Sequence, residues 1–211
     1  MNGKRVFAGF FGTIIAIVEI GLLSGCATDK NSLALTQIAM SDKQKGWALT
    51  AENELLHTTS GIENFTCVKT FEKTLPVSEG EISLCAVDEN TAYTAYFSMD
   101  GENILVEYTT DAGENWKDTE VSYASYGGAY KAYLSFTDRE HGYLLYCSDP
   151  GAGMMTKILF STEDGGETWT PQQELECDGA LSYDFFSEND GYLIDETGCL
   201  LTLKASAGTT R

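Results

Sequence analysis

Arginine and histidine are scarce in this 211-residue chain: the arginines are Arg5, Arg139 and Arg211, and the histidines are His57 and His141. With so few imidazoles, and with no Cys-x-x-Cys pair, a structural zinc site is not expected. No Gly-x-Ser-x-Gly elbow and no phosphate-binding glycine loop occurs, so neither serine-hydrolase nor nucleotide chemistry is signalled. After residue 30 no stretch carries the period of an amphipathic helix. The sequence therefore assigns no catalytic residue, no metal ligand and no cofactor.

One long apolar run is present, at the N-terminus. Lys4 and Arg5 precede residues 6–23, which are almost free of charge, and small residues follow. This is the layout of a secretory leader, to be excluded from the fold. Its exit, Leu23-Ser24-Gly25-Cys26, resembles the bacterial lipobox, in which the cysteine is acylated and becomes the first residue of the mature chain. The resemblance implies a leader over 1–25, a lipidated Cys26 with a tether over 26–36, and a cell-membrane location on the extracytoplasmic side. Stable anchoring of that kind takes more than one acyl chain. The competing reading is a plain transmembrane anchor, which Glu19 would burden at mid-bilayer depth.

Positive charge is short as well. Without 1–25 the chain keeps 11 Lys and Arg against 31 Asp and Glu, a net charge of −20. A surface this acidic repels phosphate backbones, so nucleic acid is not an expected partner. With Cys26 assigned to lipid, Cys67, Cys85, Cys147, Cys177 and Cys199 remain. One or two disulfides and buried free thiols both stay open.

The chain repeats itself. An apolar residue, a turn, then glycine, an aromatic and two apolar residues recur as Met40 with Gly46-Trp47-Ala48-Leu49, Phe136 with Gly142-Tyr143-Leu144-Leu145, and Phe185 with Gly191-Tyr192-Leu193-Ile194. A weaker copy joins Ala86 to Ala92-Tyr93-Thr94-Ala95. The glycine positions 46, 92, 142 and 191 recur every 46–50 residues, the spacing of propeller blades.

A second motif follows each of these. Thr109-Thr110-Asp111-Ala112-Gly113-Glu114-Asn115-Trp116 and Thr162-Glu163-Asp164-Gly165-Gly166-Glu167-Thr168-Trp169 both read Ser/Thr-x-Asp-x-Gly-x-x-Trp. Residues 58–65 are a degraded copy, with Ser60, Ile62 and Phe65 in place of Asp, Gly and Trp. Residues 204–211 keep only Gly208 and Thr210. The aspartate can accept backbone N–H bonds and close the turn, the hydroxyl before it does so more weakly, and glycine supplies positive φ. The tryptophan restarts a strand and can bury its ring between sheets.

This motif resembles the Asp-box, or BNR repeat, of sialidases and of many non-enzymatic propellers. The Gly-Trp-Ala and Asp-box pattern is also similar to that of photosystem II assembly factors. The resemblance covers about 37–211 and implies an all-β fold, a β-propeller of about four antiparallel blades, near 37–80, 81–130, 131–180 and 181–211. It makes Thr109, Asp111, Gly113, Trp116, Thr162, Asp164, Gly166 and Trp169 structural residues. Strands such as Ile104-Leu105-Val106-Glu107-Tyr108 and Lys157-Ile158-Leu159-Phe160-Ser161 fit that reading.

A propeller must close or leave an edge open. Three arrangements stay open: a closed four-bladed ring, a half-ring completed by another copy, or a shortened reading frame. An incomplete or atypical propeller is favoured, with self-association through its open end.

Sialidase chemistry, as that family implies it, holds a substrate carboxylate with three arginines, whose planar forks bind it by paired hydrogen bonds. Beyond the leader only Arg139 and Arg211 are present, so such activity is disfavoured. Glycoside hydrolysis by some of the many carboxylates is the enzymatic alternative. The expected role is a non-catalytic protein- or glycan-binding module, its ligand surface placed at Tyr123, Tyr126 and Tyr130, since tyrosine offers a rigid face with a polar tip. An envelope assembly or scaffold factor is the third reading.

Overall fold

The computed structural model describes residues 16–17, 34–71, 82–149, 155–175, 182–187, 190–195 and 197–204. Among these there is no helix; the chain is four antiparallel sheets, each a simple meander. The first sheet holds β2 (Ala34–Met40), β3 (Gly46–Thr50), β4 (Glu54–Thr58) and β5 (Thr66–Thr70), with a two-residue strand β1 (Ala16–Ile17) against the start of β2. The second holds β6 (Ser83–Ala86), β7 (Ala92–Phe97), β8 (Asn103–Thr109) and β9 (Lys117–Ser122). The third holds β10 (Ala129–Phe136), β11 (Gly142–Ser148), β12 (Lys157–Thr162) and β13 (Thr170–Glu174). The fourth holds β14 (Ser182–Phe185), β15 (Asp190–Ile194) and β16 (Leu200–Lys204).

The repeated glycine has a steric cause that the register exposes. Gly46 lies directly opposite Met40, Gly142 opposite Phe136, and Gly191 opposite Phe185. The large side chain folds back over its partner. A Cβ on Gly142 would sit 2.4 Å from the Phe136 ring, and one on Gly46 would sit 2.6 Å from Met40 Sδ. In the second sheet the glycine position is Ala92, and its partner is Ala86. Where the small residue grows, the large one has shrunk.

Successive sheets pack face to face, with β2, β6, β10 and β14 adjacent to one another along one side. Each sheet presents one face to its successor, here called leading, and the opposite, trailing face to its predecessor. Between the first and second sheets lie Trp47, Leu49, Leu55, Ala92 and Tyr96. Between the second and third lie Tyr93, Val106, Tyr108, Leu134, Phe136 and Phe160. Between the third and fourth lie Tyr143, Leu145, Leu159, Tyr183 and Phe185.

Aromatic stacking recurs at these joints. Tyr93 lies on Phe136 and Tyr143 on Phe185, each pair with centroids 3.6 Å apart and planes 12° from parallel. Such contacts add about 0.5–1.5 kcal/mol beyond area burial.

Polar side chains complete the joints along the first strands. A strand edge carries unpaired amides. Here the preceding sheet supplies acceptors: the Leu84 amide donates to Gln37 Oε1 (2.9 Å), Leu134 to Ser83 Oγ (2.9 Å), Phe136 to Cys85 Sγ (3.3 Å) and Phe185 to Ser135 Oγ (3.1 Å). Among the described residues the four sheets do not close into a ring, so the fold is an incomplete propeller of four antiparallel blades.

Candidate binding face

Antiparallel meanders place two kinds of connection at one end of the arc. These are the turn after each first strand and the Thr-x-Asp hairpin after each third strand. Both are built by carboxylates or hydroxyls that accept backbone amides.

In the first kind, Asp42 accepts from the amides of Gln44 (2.7 Å) and Lys45 (2.8 Å), and Asp88 from those of Asn90 (2.8 Å) and Thr91 (2.9 Å). Asp138 accepts from Glu140 and His141, both at 2.8 Å. In the fourth sheet Ser187 takes the place of the aspartate and accepts from the Asp190 amide at 3.0 Å.

The two hairpins share their threonine and aspartate bonds. Thr109 Oγ1 donates to Asp111 (2.8 Å) and accepts from the Gly113 amide (3.0 Å), while Asp111 accepts from the Asn115 amide at 2.9 Å. Thr162, Asp164, Gly166 and Thr168 repeat these bonds at 2.7, 2.9 and 2.9 Å. Gly113 and Gly166 both have φ of 90°, the region that favours glycine. In the degraded copy Thr58 still caps the turn, donating to the Gly61 carbonyl at 2.8 Å, and Gly61 supplies the positive φ.

Each hairpin is then tied to the first turn of its own sheet. The Gly61 amide donates to Gln44 O (2.7 Å), Ala112 to Asn90 O (2.9 Å) and Gly165 to Glu140 O (2.9 Å). The two tryptophans that end the hairpins lie half-buried against the joints, Trp116 at the first and Trp169 at the second, where Trp169 meets Phe136 edge-on. Trp116 also donates to Gly113 O at 3.1 Å.

Neighbouring turns are cross-linked. Trp47 Nε1 donates to Asp88 O (3.1 Å), and the Tyr93 hydroxyl donates to Arg139 O (3.2 Å). His57 Nε2 meets Glu89 O at 2.8 Å, and Lys45 pairs with Glu89. Arg139 reaches back to Asp88, with both Nε (2.8 Å) and Nη2 (2.7 Å) on the same carboxylate oxygen. The result is an open depression of about 370 Å³ lined by Ser41, Asp42, Asp88, Glu89, Asn90 and Arg139.

Electrostatics follow from these bonds. The Gln44 and Lys45 amides hold the Asp42 carboxyl below the usual range. Burial pushes Asp88 up, but the Asn90 amide, Arg139 and Thr91 together outweigh it and hold it low. Arg139 keeps 58% of its side chain exposed, so the guanidinium stands at the rim with donors beyond those spent on Asp88.

The tyrosines named from the sequence sit at the second joint. Tyr123 is 1% exposed, stacked on Tyr146 with centroids 5.1 Å apart. It is a core side chain and offers no face to a ligand, because its ring fills the gap between the second and third sheets. Tyr126 is half-buried against Tyr146 and Phe160, and Tyr130 is half-buried against the third joint, with Lys131 Nζ 5.3 Å from its ring. Cys26 lies outside the described residues, as do 205–211 of the last degraded hairpin.

Two features escaped the sequence reading. The carboxylates Asp42, Asp88 and Asp138 each stand four residues before the glycine position, a signal hidden because the intervening residues share no chemistry. Arg139 lies inside the third of these turns. Among the described residues no group of three His, Cys, Asp or Glu could hold a metal ion, and no helix is long and apolar enough to cross a membrane.

No family model matches the sequence, and no curated protein matches it. Solved structures do match. The Niastella koreensis GH74 enzyme superposes with a TM-score of 0.54 and 15% identity, over 87% of this chain and 31% of that one. YCF48 from Cyanidioschyzon merolae superposes with a TM-score of 0.50 and 18% identity, over 81% of this chain and 53% of that one. YCF48 bound to D1 peptide gives 0.44 and 12%, over 81% and 63%. Both kinds of neighbour are β-propellers, and this chain spans less than two-thirds of each.

Proposed function

We propose that the chain is a non-catalytic binding module of Asp-box type, held at the outer face of a bacterial membrane through lipidated Cys26. The observation that carries the binding role is the rim of the first turns. Three successive sheets bring their turns together, their carboxylates are engaged by backbone amides, and Arg139 stands exposed among Asn90, Glu89 and Asp42. A rigid rim with donors and acceptors side by side suits a polar protein segment or a glycan. The carboxylates of the hairpins serve their own turns, which speaks for architecture over acid/base work. An envelope assembly role uses the same surface.

The test is binding of the full chain to a glycan array and a peptide array, comparing wild type with Arg139→Ala and with Tyr126→Ala. Loss of at least about tenfold in Arg139→Ala with unchanged circular dichroism supports the rim, and equal binding by all three proteins rejects it. Lipid anchoring is checked separately. Cys26→Ala should abolish incorporation of labelled fatty acid, and unchanged labelling would remove the anchor from the proposal.

A further inference from the structure

The rim breaks its own pattern at one position. Asp42, Asp88 and Asp138 each spend one oxygen, Oδ1, on the backbone amides of their own turn. The second oxygen can then meet a neighbour. Asp88 Oδ2 accepts from Arg139, which reaches back from the following turn. Asp138 Oδ2 lies 3.0 Å from His141 Nδ1. Asp42 Oδ2, by contrast, accepts no bond from any described residue.

The cause is a reversal of charge in the sequence. Arg139 stands three residues before Gly142, and the equivalent residue, three before Ala92, is Glu89. A glutamate there has no donor to offer Asp42, and it pairs with Lys45 instead. Charges around the depression therefore match off as Arg139 with Asp88 and Lys45 with Glu89, and Asp42 is left over. Asp42 is exposed, and the amides of Gln44 and Lys45 keep its carboxyl ionised at neutral pH.

We propose that the depression takes an arginine side chain of a partner polypeptide, its guanidinium meeting Asp42 as Arg139 meets Asp88. This rests on the rim being the binding surface and narrows what binds there. A planar guanidinium with five donors can hold Asp42 Oδ2 and still offer N–H groups to the Glu89 carboxylate or the Asn90 side-chain carbonyl, both in the same lining. An ammonium lacks that fork. A sugar ring calls for an aromatic face, but the rings bonded to this rim, Trp47 and Tyr93, are 0% and 1% exposed. The Arg139 donors not spent on Asp88 suit main-chain carbonyls of the same segment. The chain's net charge of −19 draws a basic segment toward it.

The experiment titrates the isotope-labelled full chain with N-acetyl-arginine amide and follows the backbone amides by NMR. Saturable shifts are expected at Gln44 and Lys45, whose amides donate to Asp42. The citrulline analogue, which keeps the shape and removes the charge, should bind at least about tenfold more weakly, as should arginine amide to Asp42→Asn. Glu89→Arg gives the second turn the guanidinium that the third already has, and should block the ligand while circular dichroism stays unchanged. Asp118→Asn, an exposed carboxylate on β9, should bind as wild type does. Equal binding of arginine and citrulline, full binding by Asp42→Asn or Glu89→Arg, or an equal loss in Asp118→Asn overturns the proposal. Arrayed peptides that need Arg139 but show no preference for arginine would overturn it and keep the rim; arginine amide saturating at Asp42 while nothing on the arrays depends on Arg139 would uphold the guanidinium site and remove the wider rim.

Discussion

Gly142→Ala tests the steric account of the repeat most directly. The added Cβ would stand 2.4, 2.5 and 2.6 Å from three atoms of the Phe136 ring. That ring cannot swing away, because its other side is stacked on Tyr93 at 3.6 Å and it is 5% exposed. Overpacking of a fixed neighbour costs about 1–3 kcal/mol or somewhat more. Phe136→Ala alone removes a buried aromatic and should cost about 3–5 kcal/mol. In that second background the methyl added by Gly142→Ala enters the space the ring has left, recreating the Ala86–Ala92 pair of the second sheet. The same substitution should then be neutral or stabilising by about 0.5–1 kcal/mol, since glycine is a poor strand residue. The double-mutant cycle is read by urea denaturation of wild type, both single variants and the double variant. The expected result is a coupling of about 2–4 kcal/mol and a change of sign in the effect of Gly142→Ala. Equal cost in both backgrounds would refute the steric reading.

Three further outcomes follow from bonds already described. Asp164→Ala removes the acceptor for the Thr162 hydroxyl and for the amide and hydroxyl of Thr168, and should cost about 1–3 kcal/mol in thermal or urea melts; a neutral effect would show the hairpin holds without it. Folding lowers the carboxyls of Asp42, Asp88, Asp111, Asp138 and Asp164, so their contribution is complete above about pH 4 and is lost as pH falls through the lower folded values. Melting temperature should therefore decline below about pH 4, and Asp88→Asn should make that decline shallower. Exposed Cys67 and Cys199 should react with a thiol reagent in the native protein, whereas buried Cys147 should react only on unfolding.

The hairpins at 109–116 and 162–169 were legible because each side chain acts on backbone a few residues away, within reach of a local pattern. The glycine repeat was legible as a spacing, but its cause was not. Gly142 answers to Phe136, and the pairing is visible only once the register sets them opposite. Tyr123 misled for the converse reason: a tyrosine-rich link between strands looks like a ligand ledge until the next sheet covers the ring. The acceptors between sheets, Gln37, Ser83, Cys85 and Ser135, are an amide, two hydroxyls and a thiol whose partners lie some fifty residues away, so no local pattern groups them.

The Ala86–Ala92 pair also limits how such a chain can change. At the first joint the indole of Trp47 shares a cluster with those two small residues, while at the second a tyrosine, a phenylalanine and a glycine fill the corresponding space. The first boundary carries its bulk on the side of the earlier sheet, whereas the second and third share it between a tyrosine and a phenylalanine. Blades with matching backbones are therefore not interchangeable: a copy of the third placed second would drive a phenylalanine into Trp47. Duplication or recombination in this architecture preserves packing when its crossover falls in mid-sheet, so that what is inherited intact is the boundary and not the blade.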